Sequence, residues 1–143
     1  YEDKHFSPGN ERVVFELNGW KICPQICYDL RFPVWSRNTD DIDLYLYVAN
    51  WPAVRSSAWD KLLQARAIEN VSYVAGINRI GYDDTNKHYG GNSAIIDFKG
   101  DYIFQYPLDT DYIEIQSLSK EKLNKFRAKF PALEDRDKFE IKT

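Results

Sequence analysis

The chain is poor in the residues that most often build metal and redox sites: it has two cysteines, two histidines and no methionine. Cys23 and Cys27 form a C-x3-C spacing with no second pair, which excludes the usual zinc arrangements. Two cysteines this close on one strand are poor disulfide partners. Reduced thiols fit a cytoplasmic protein. Basic residues form no patch: 19 Lys and Arg stand against 22 Asp and Glu, for a formal charge of -3, so nucleic acid is not the expected partner. The longest apolar run, Leu44 to Ala49, is far shorter than the roughly 20 residues a membrane span requires. No charged start followed by an apolar stretch marks a secretory leader. Repeats and low-complexity stretches are absent as well. Because the chain opens on Tyr1 without methionine, we expect an N-terminal part of the protein to precede it.

What is present suits a folded α/β unit. Hydrophobic residues make up 43% of the 143 positions and aromatics 15%, enough for a sizeable core. Val13 to Leu17 reads as a β run, and Asn18-Gly19 is the strongest two-residue hairpin signal. Trp20 to Cys27 reads as the return strand, with Pro24 arguing for an edge or a bulge. Arg31 to Trp35 reads as a turn and short helix. Leu44 to Ala49 is continuous enough for a strand covered on both faces. Ser56 or Ser57 is placed to cap a helix carrying Trp59, Leu62, Leu63, Arg66 and Glu69. Val71 to Ile77 reads as a strand and Asp83 to Gly91 as a polar loop. Ser93 to Phe98, Tyr102 to Tyr106 and Tyr112 to Leu118 read as further strands. Ser119 opens a last amphipathic helix with Leu123, Phe126 and Phe130, which Pro131 stops. This order predicts a mixed α/β layered domain.

The most informative segment is Lys21-Ile22-Cys23-Pro24-Gln25-Ile26-Cys27-Tyr28-Asp29-Leu30-Arg31-Phe32-Pro33. Here a cysteine stands where a buried strand ends and a polar turn begins. That placement exposes a thiol at a sheet rim and aims the next backbone N–H groups at the same spot, offering a nucleophile and an oxyanion donor together. The bland alternative is a packing residue, since free cysteine mostly behaves as a small hydrophobe. A nucleophilic cysteine needs activation. His5 and His88 both lie in polar, loop-like segments, and nothing specifies either as the partner. A carboxylate–lysine pair is the other route, the ammonium lowering the thiol pKa and the carboxylate moving the proton.

These residues closely resemble the nucleophile motif of the nitrilase superfamily of carbon–nitrogen hydrolases. The resemblance continues through Ala49-Asn50-Trp51-Pro52, Gln64 to Asn70, Gly76 to Gly81, Gly91 to Asp97 and the Phe126-Arg127…Phe130-Pro131 tail, covering essentially the whole chain in order. Cys27-Tyr28-Asp29-Leu30-Arg31-Phe32-Pro33 resembles in particular the omega-amidase-like enzymes of bacteria. The resemblance implies a four-layer αββα sandwich, of which residues 1–143 form the C-terminal part of a single domain. It implies an amidase that cleaves a small carboxylic-acid amide through a cysteine thioester and releases ammonia, with no cofactor and no metal. It implies Cys27 as nucleophile, Glu2 as the second glutamate of a Glu–Lys–Cys site, and the Tyr28 N–H as oxyanion donor. The general-base glutamate and the lysine belong upstream of Tyr1; Lys4 follows Glu2 and does not take the lysine's place.

Further residues carry two readings each. Arg31 binds a substrate carboxylate bidentately, or pairs with Asp29 or Glu69. Asn50 and Trp51 line the pocket or fill the core. Arg66, Glu69, Asn78 and Arg79 read as structural. The expected partner is a small-molecule amide, with no nucleic acid and no membrane, and the expected assembly is a homodimer. A non-catalytic interaction module of the same fold, a different amidase or N-carbamoyl hydrolase, and a redox thiol protein using Cys23 and Cys27 are the competing readings.

Overall fold

The computed structural model describes residues 4–7 and 9–139. Its element order is β1 (Phe15–Leu17), β2 (Trp20–Ile26), a 3-10 turn (Cys27–Arg31), β3 (Leu44–Ala49), a second 3-10 turn (Ala53–Arg55), α1 (Ser56–Asn70), β4 (Tyr73–Asn78), β5 (Ile80–Tyr82), β6 (His88–Gly90), β7 (Ala94–Ile96), β8 (Tyr102–Gln105) and α2 (Lys120–Lys129). Six strands form one mixed sheet in the order β1-β2-β3-β4-β7-β8. Its centre is parallel, β2 against β3 against β4, and both flanks are antiparallel. The mixed α/β class expected from the sequence is therefore present, as one sheet with a helix against each face.

Local chemistry explains the frame. Asn18 and Gly19 both take positive φ, 49° and 77°, as a type I′ hairpin requires. Pro24, which cannot donate to a ladder, lies beyond β1, whose pairing with β2 covers only Trp20 to Ile22. On one sheet face Cys23, Tyr45, Tyr47 and Val74 pack with Trp59, Leu63 and Ala67 of α1 into the main core. Gly76 lets α1 approach: an added Cβ would sit 2.5 Å from Leu63 Cδ1 and 2.9 Å from Trp59 Cζ2. Gly76→Ala is expected to destabilise the protein by about 1–3 kcal/mol through overpacking, read as a lower urea midpoint with an unchanged slope.

A smaller core joins α2 to the other face at the N-terminal ends of the parallel strands, through Leu123 and Phe126 against Trp20, Leu44 and Tyr73. Ser119 caps α2, its side chain accepting the Lys122 N–H at 3.2 Å. Buried Asn38 ties the loop before β3 to the end of α1, its N–H donating to Asn70 Oδ1 at 2.9 Å and its amide to Ile42 O at 3.0 Å.

Several expectations need correction. Tyr112 to Leu118 forms no strand among the described residues. Its alternation suits one, but a ladder needs a partner edge. Ile113 and Ile115 stay 94% and 90% exposed, while Tyr112 leans on Phe104 and Tyr106. β3 is covered fully on one face only: α2 shields the far face just at its N-terminal end. There Ile26, Val48 and Ile77, one register row across the parallel strands, are 68%, 50% and 50% exposed. No serine side chain caps α1, because the Ala53–Arg55 turn runs straight into it and Ala53 O accepts the Ser56 N–H. The Asp83 to Gly91 stretch is not all loop, since β5 and β6 pair there as a hairpin. The expected short helix at Arg31 to Trp35 starts earlier, as the 3-10 turn at Cys27.

Candidate active site

The parallel strands β2, β3 and β4 end on one rim, the edge where α/β sheets commonly bind ligands. Cys27 follows the last residue of β2 and takes φ 40°, a left-handed conformation uncommon for a side chain with a Cβ. The residue ends the strand and opens the turn, and Cys27 rests at the margin of the main core that holds Cys23. Cys27 is half-buried, whereas Cys23 has no exposed surface. Burial pushes the Cys23 thiol up from its ordinary value, against a weaker opposing hydrogen bond from the Gln25 amide at 3.4 Å. Cys23 is thus a packing residue and Cys27 the accessible sulfur. Both are free thiols.

The turn that carries Cys27 is anchored at both ends. Asp29 Oδ2 accepts the Ile26 N–H at 2.8 Å, closing the turn's start. Leu30 is fully buried, and its carbonyl accepts Arg66 Nη2 at 2.6 Å. Arg66, 2% exposed on α1, is held in turn by Glu69 Oε1 at 2.8 Å. The pairing of Arg66 with Glu69 one helical turn later gives both the structural role expected of them. Among the described residues Arg31 forms no ion pair with either Glu69 or Asp29, whose Oδ2 accepts the Ile26 N–H. Arg31 instead sits over the Trp51 ring, 4.8 Å from its centroid.

Trp51 resolves toward the core: it is 3% exposed and packs on Trp59 at 5.5 Å while offering its ring to Arg31. Asn50, by contrast, is exposed. Asn78 clamps the segment, its Oδ1 accepting Trp51 N–H at 2.7 Å and its amide donating to Trp51 O at 3.0 Å and Gly91 O at 2.7 Å. Arg79 leans on the Tyr89 ring at 4.7 Å. Tyr28 is 63% exposed and meets Phe32 edge to face. The first N–H groups of a helical turn have no partner within it, so the Tyr28 N–H stands free of the turn's own bonding. Glu2 lies outside the described residues. No group of His, Cys, Asp and Glu suited to a metal occurs among the described residues.

Arg55 is the feature that sequence reading missed. It lies 5.9 Å from the same Trp51 ring, placed by the short turn before α1. Its signal was slight, a lone cation in Ala53-Val54-Arg55 with no periodicity. A groove of about 580 Å³ between β4, β7 and residues 106–114 contains none of Cys27, Arg31 and Trp51. Ile77, Ile95 and Ile113 help line it, so it reads as bare sheet face and not as a reaction chamber.

At the hairpin beside this rim, Asp83 accepts the Thr85 hydroxyl at 2.7 Å, the Lys87 N–H at 3.0 Å and the Tyr89 hydroxyl at 2.9 Å. These bonds hold its carboxyl well below the usual range, the Thr85 bond foremost. A depressed folded-state pKa contributes stability above the unfolded value of about 4 and loses it as pH falls through the folded value. Asp83→Asn is therefore expected to lower the urea midpoint at pH 7, the gap from wild type narrowing at pH 2.

Comparison with known proteins settles the family. The carbon–nitrogen hydrolase profile matches residues 1–128. The chain belongs to that family. It is 55% identical over 139 residues to omega-amidase YafV of Yersinia enterocolitica, covering 96% of this chain and 54% of the relative. It is 51% identical over 140 residues to omega-amidase YafV of Escherichia coli K12, covering 98% and 55%. A CN-hydrolase superfamily protein of Xanthomonas campestris, solved with an arsenic adduct in its active site, superposes with a TM-score of 0.95 at 44% identity, over 99% of this chain and 56% of that one. This carbon–nitrogen hydrolase chain thus spans about half the length of the relatives it matches. No helix among its described residues is long and apolar enough to cross a membrane.

Proposed function

We propose that this chain carries the nucleophile of an omega-amidase, which hydrolyses the terminal amide of a short carboxylic acid. The carrying observation is the accessible thiol of Cys27 on a left-handed turn at the rim, anchored from α1 by Arg66. The thiolate attacks the amide carbon, and the carbonyl π electrons move onto oxygen. The Tyr28 N–H stabilises that oxyanion, a contribution worth about 3 kcal/mol in comparable sites. Collapse expels ammonia once its nitrogen is protonated, leaving a thioester on Cys27. Water then attacks the thioester and frees the acid and the thiol. Arg31, steadied on Trp51, binds the distal carboxylate, and Asn50 lines the entrance.

The proton carriers, a general-base glutamate and a lysine, belong to the part of the relatives' length this chain does not span, with Glu2 as the second glutamate. The chain works as the C-terminal part of one four-layer domain; the bare row of Ile26, Val48 and Ile77 supports a further layer over it. Two free thiols support a reducing, cytoplasmic setting, and a homodimer is the proposed assembly. Arsenic bonds thiolates, so the adduct in the Xanthomonas active site supports a thiol at the centre.

Ammonia release by the full-length protein from succinamate and 2-oxoglutaramate tests the reading. Turnover with an initial burst is expected; absence of ammonia from these and other short amides would overturn it.

A further inference from the structure

We propose that Arg55 is a second carboxylate-binding residue, forming with Arg31 a two-guanidinium subsite on Trp51 that selects acyl chains ending in an acid. The inference rests on the amidase reading and adds the group that sets its specificity. Its basis is an unusual gathering of charge. The guanidinium carbons of Arg31 and Arg55 lie 4.8 and 5.9 Å from one indole ring. Each gains from the ring's negative face, yet their like charges repel. Among the described residues neither has a carboxylate within ion-pair distance. Arg12, Arg66, Arg127 and Arg136 each do; Arg37 and Arg79 lack one too, but each donates to a backbone carbonyl, of Glu69 and of Tyr82. Two guanidiniums on one ring, neither paired with a carboxylate among the described residues, form a place where an anion lowers the energy.

The platform is rigid, which keeps the cost of ordering small. The Trp51 backbone is tied to Asn78 on both its N–H and its carbonyl. The indole Nε1 donates to the Arg55 carbonyl at 2.8 Å, and the Arg55 N–H donates to Pro52 O at 2.9 Å. Trp51 therefore fixes the backbone of the residue whose side chain rests on its ring. Arg31 lies in the same five-residue turn as Cys27. The subsite requires that a short acid with its amide carbon at the sulfur meet the arginines with its far end. Guanidiniums bind carboxylates through paired, charge-assisted hydrogen bonds, which a neutral chain end cannot make.

The experiment compares full-length wild type, Arg55→Ala and Arg55→Lys on succinamate and on butyramide, its uncharged counterpart. Arg55→Ala is expected to lose about 10- to 100-fold in kcat/KM on succinamate, mostly in KM, and less than about 2-fold on butyramide. Arg55→Lys recovers part of the loss. Titration calorimetry with glutarate reads the subsite without turnover, and Arg55→Ala is expected to weaken binding at least 10-fold. Equal losses on both amides, or unchanged glutarate binding, would overturn the subsite while leaving the amidase reading intact. Arg55-dependent glutarate binding in a protein that hydrolyses neither amide would instead retain the subsite and remove the amidase reading.

Discussion

Cys27→Ala is expected to abolish ammonia release, lowering kcat by at least about 10³-fold, while the protein keeps its fold. The half-buried thiol sits at a rim, so its loss opens no large cavity. The contrast is Cys23→Ala. That thiol has no exposed surface and packs in the main core beside Tyr45 and Tyr47. Removing it is expected to cost about 1–2 kcal/mol of stability and to leave kcat unchanged. Steady-state ammonia assays and urea unfolding of both variants separate the two sulfurs. A redox protein using both cysteines would lose function with either substitution.

The second large effect concerns the joint between α2 and the sheet. Asp43 is 3% exposed at its side chain and accepts from Lys120 Nζ at 2.7 Å, Arg127 Nη1 at 3.1 Å and the Lys21 N–H at 2.9 Å. Arg127 also donates to Ile42 O and Val71 O, at 2.6 and 2.9 Å. Burial pulls the Arg127 guanidinium below its ordinary value, opposed chiefly by the Asp43 charge. Asp43→Ala leaves that cation without its counter-charge beside the smaller core and is expected to cost about 3–5 kcal/mol in urea unfolding. Replacing Arg127 by methionine in the same protein is expected to return part of the loss, because an unpaired charge is more costly than an apolar pair of similar volume.

Where local chemistry decides the structure, the sequence was sufficient. Asn18-Gly19 makes its hairpin, Ser119 its cap, and the Cys27 junction its half-buried thiol, because each depends on residues a few positions apart. The misreadings share one cause. Tyr112 to Leu118 has the alternation of a strand, but pairing needs an edge elsewhere in the molecule, which pattern alone does not supply. Leu44 to Ala49 has the composition of a doubly covered strand, while Val48 stays 50% exposed among the described residues. Arg31 has one carboxylate two residues away, Asp29, and another, Glu69, brought close only by the fold; Asp29 accepts the Ile26 N–H and Glu69 pairs with Arg66. The family resemblance pointed to Cys27, but no local signal marked Arg55, which gains its neighbour from a ring four residues earlier.

The most direct test is to quench the full-length protein in acid during turnover of succinamate and to examine the tryptic peptide Ile22–Arg31, which holds both cysteines. An acyl group on Cys27, absent from Cys23 and lost in Cys27→Ala, is the predicted result. Steady turnover with an unmodified peptide, or with the acyl group on another residue, would contradict it.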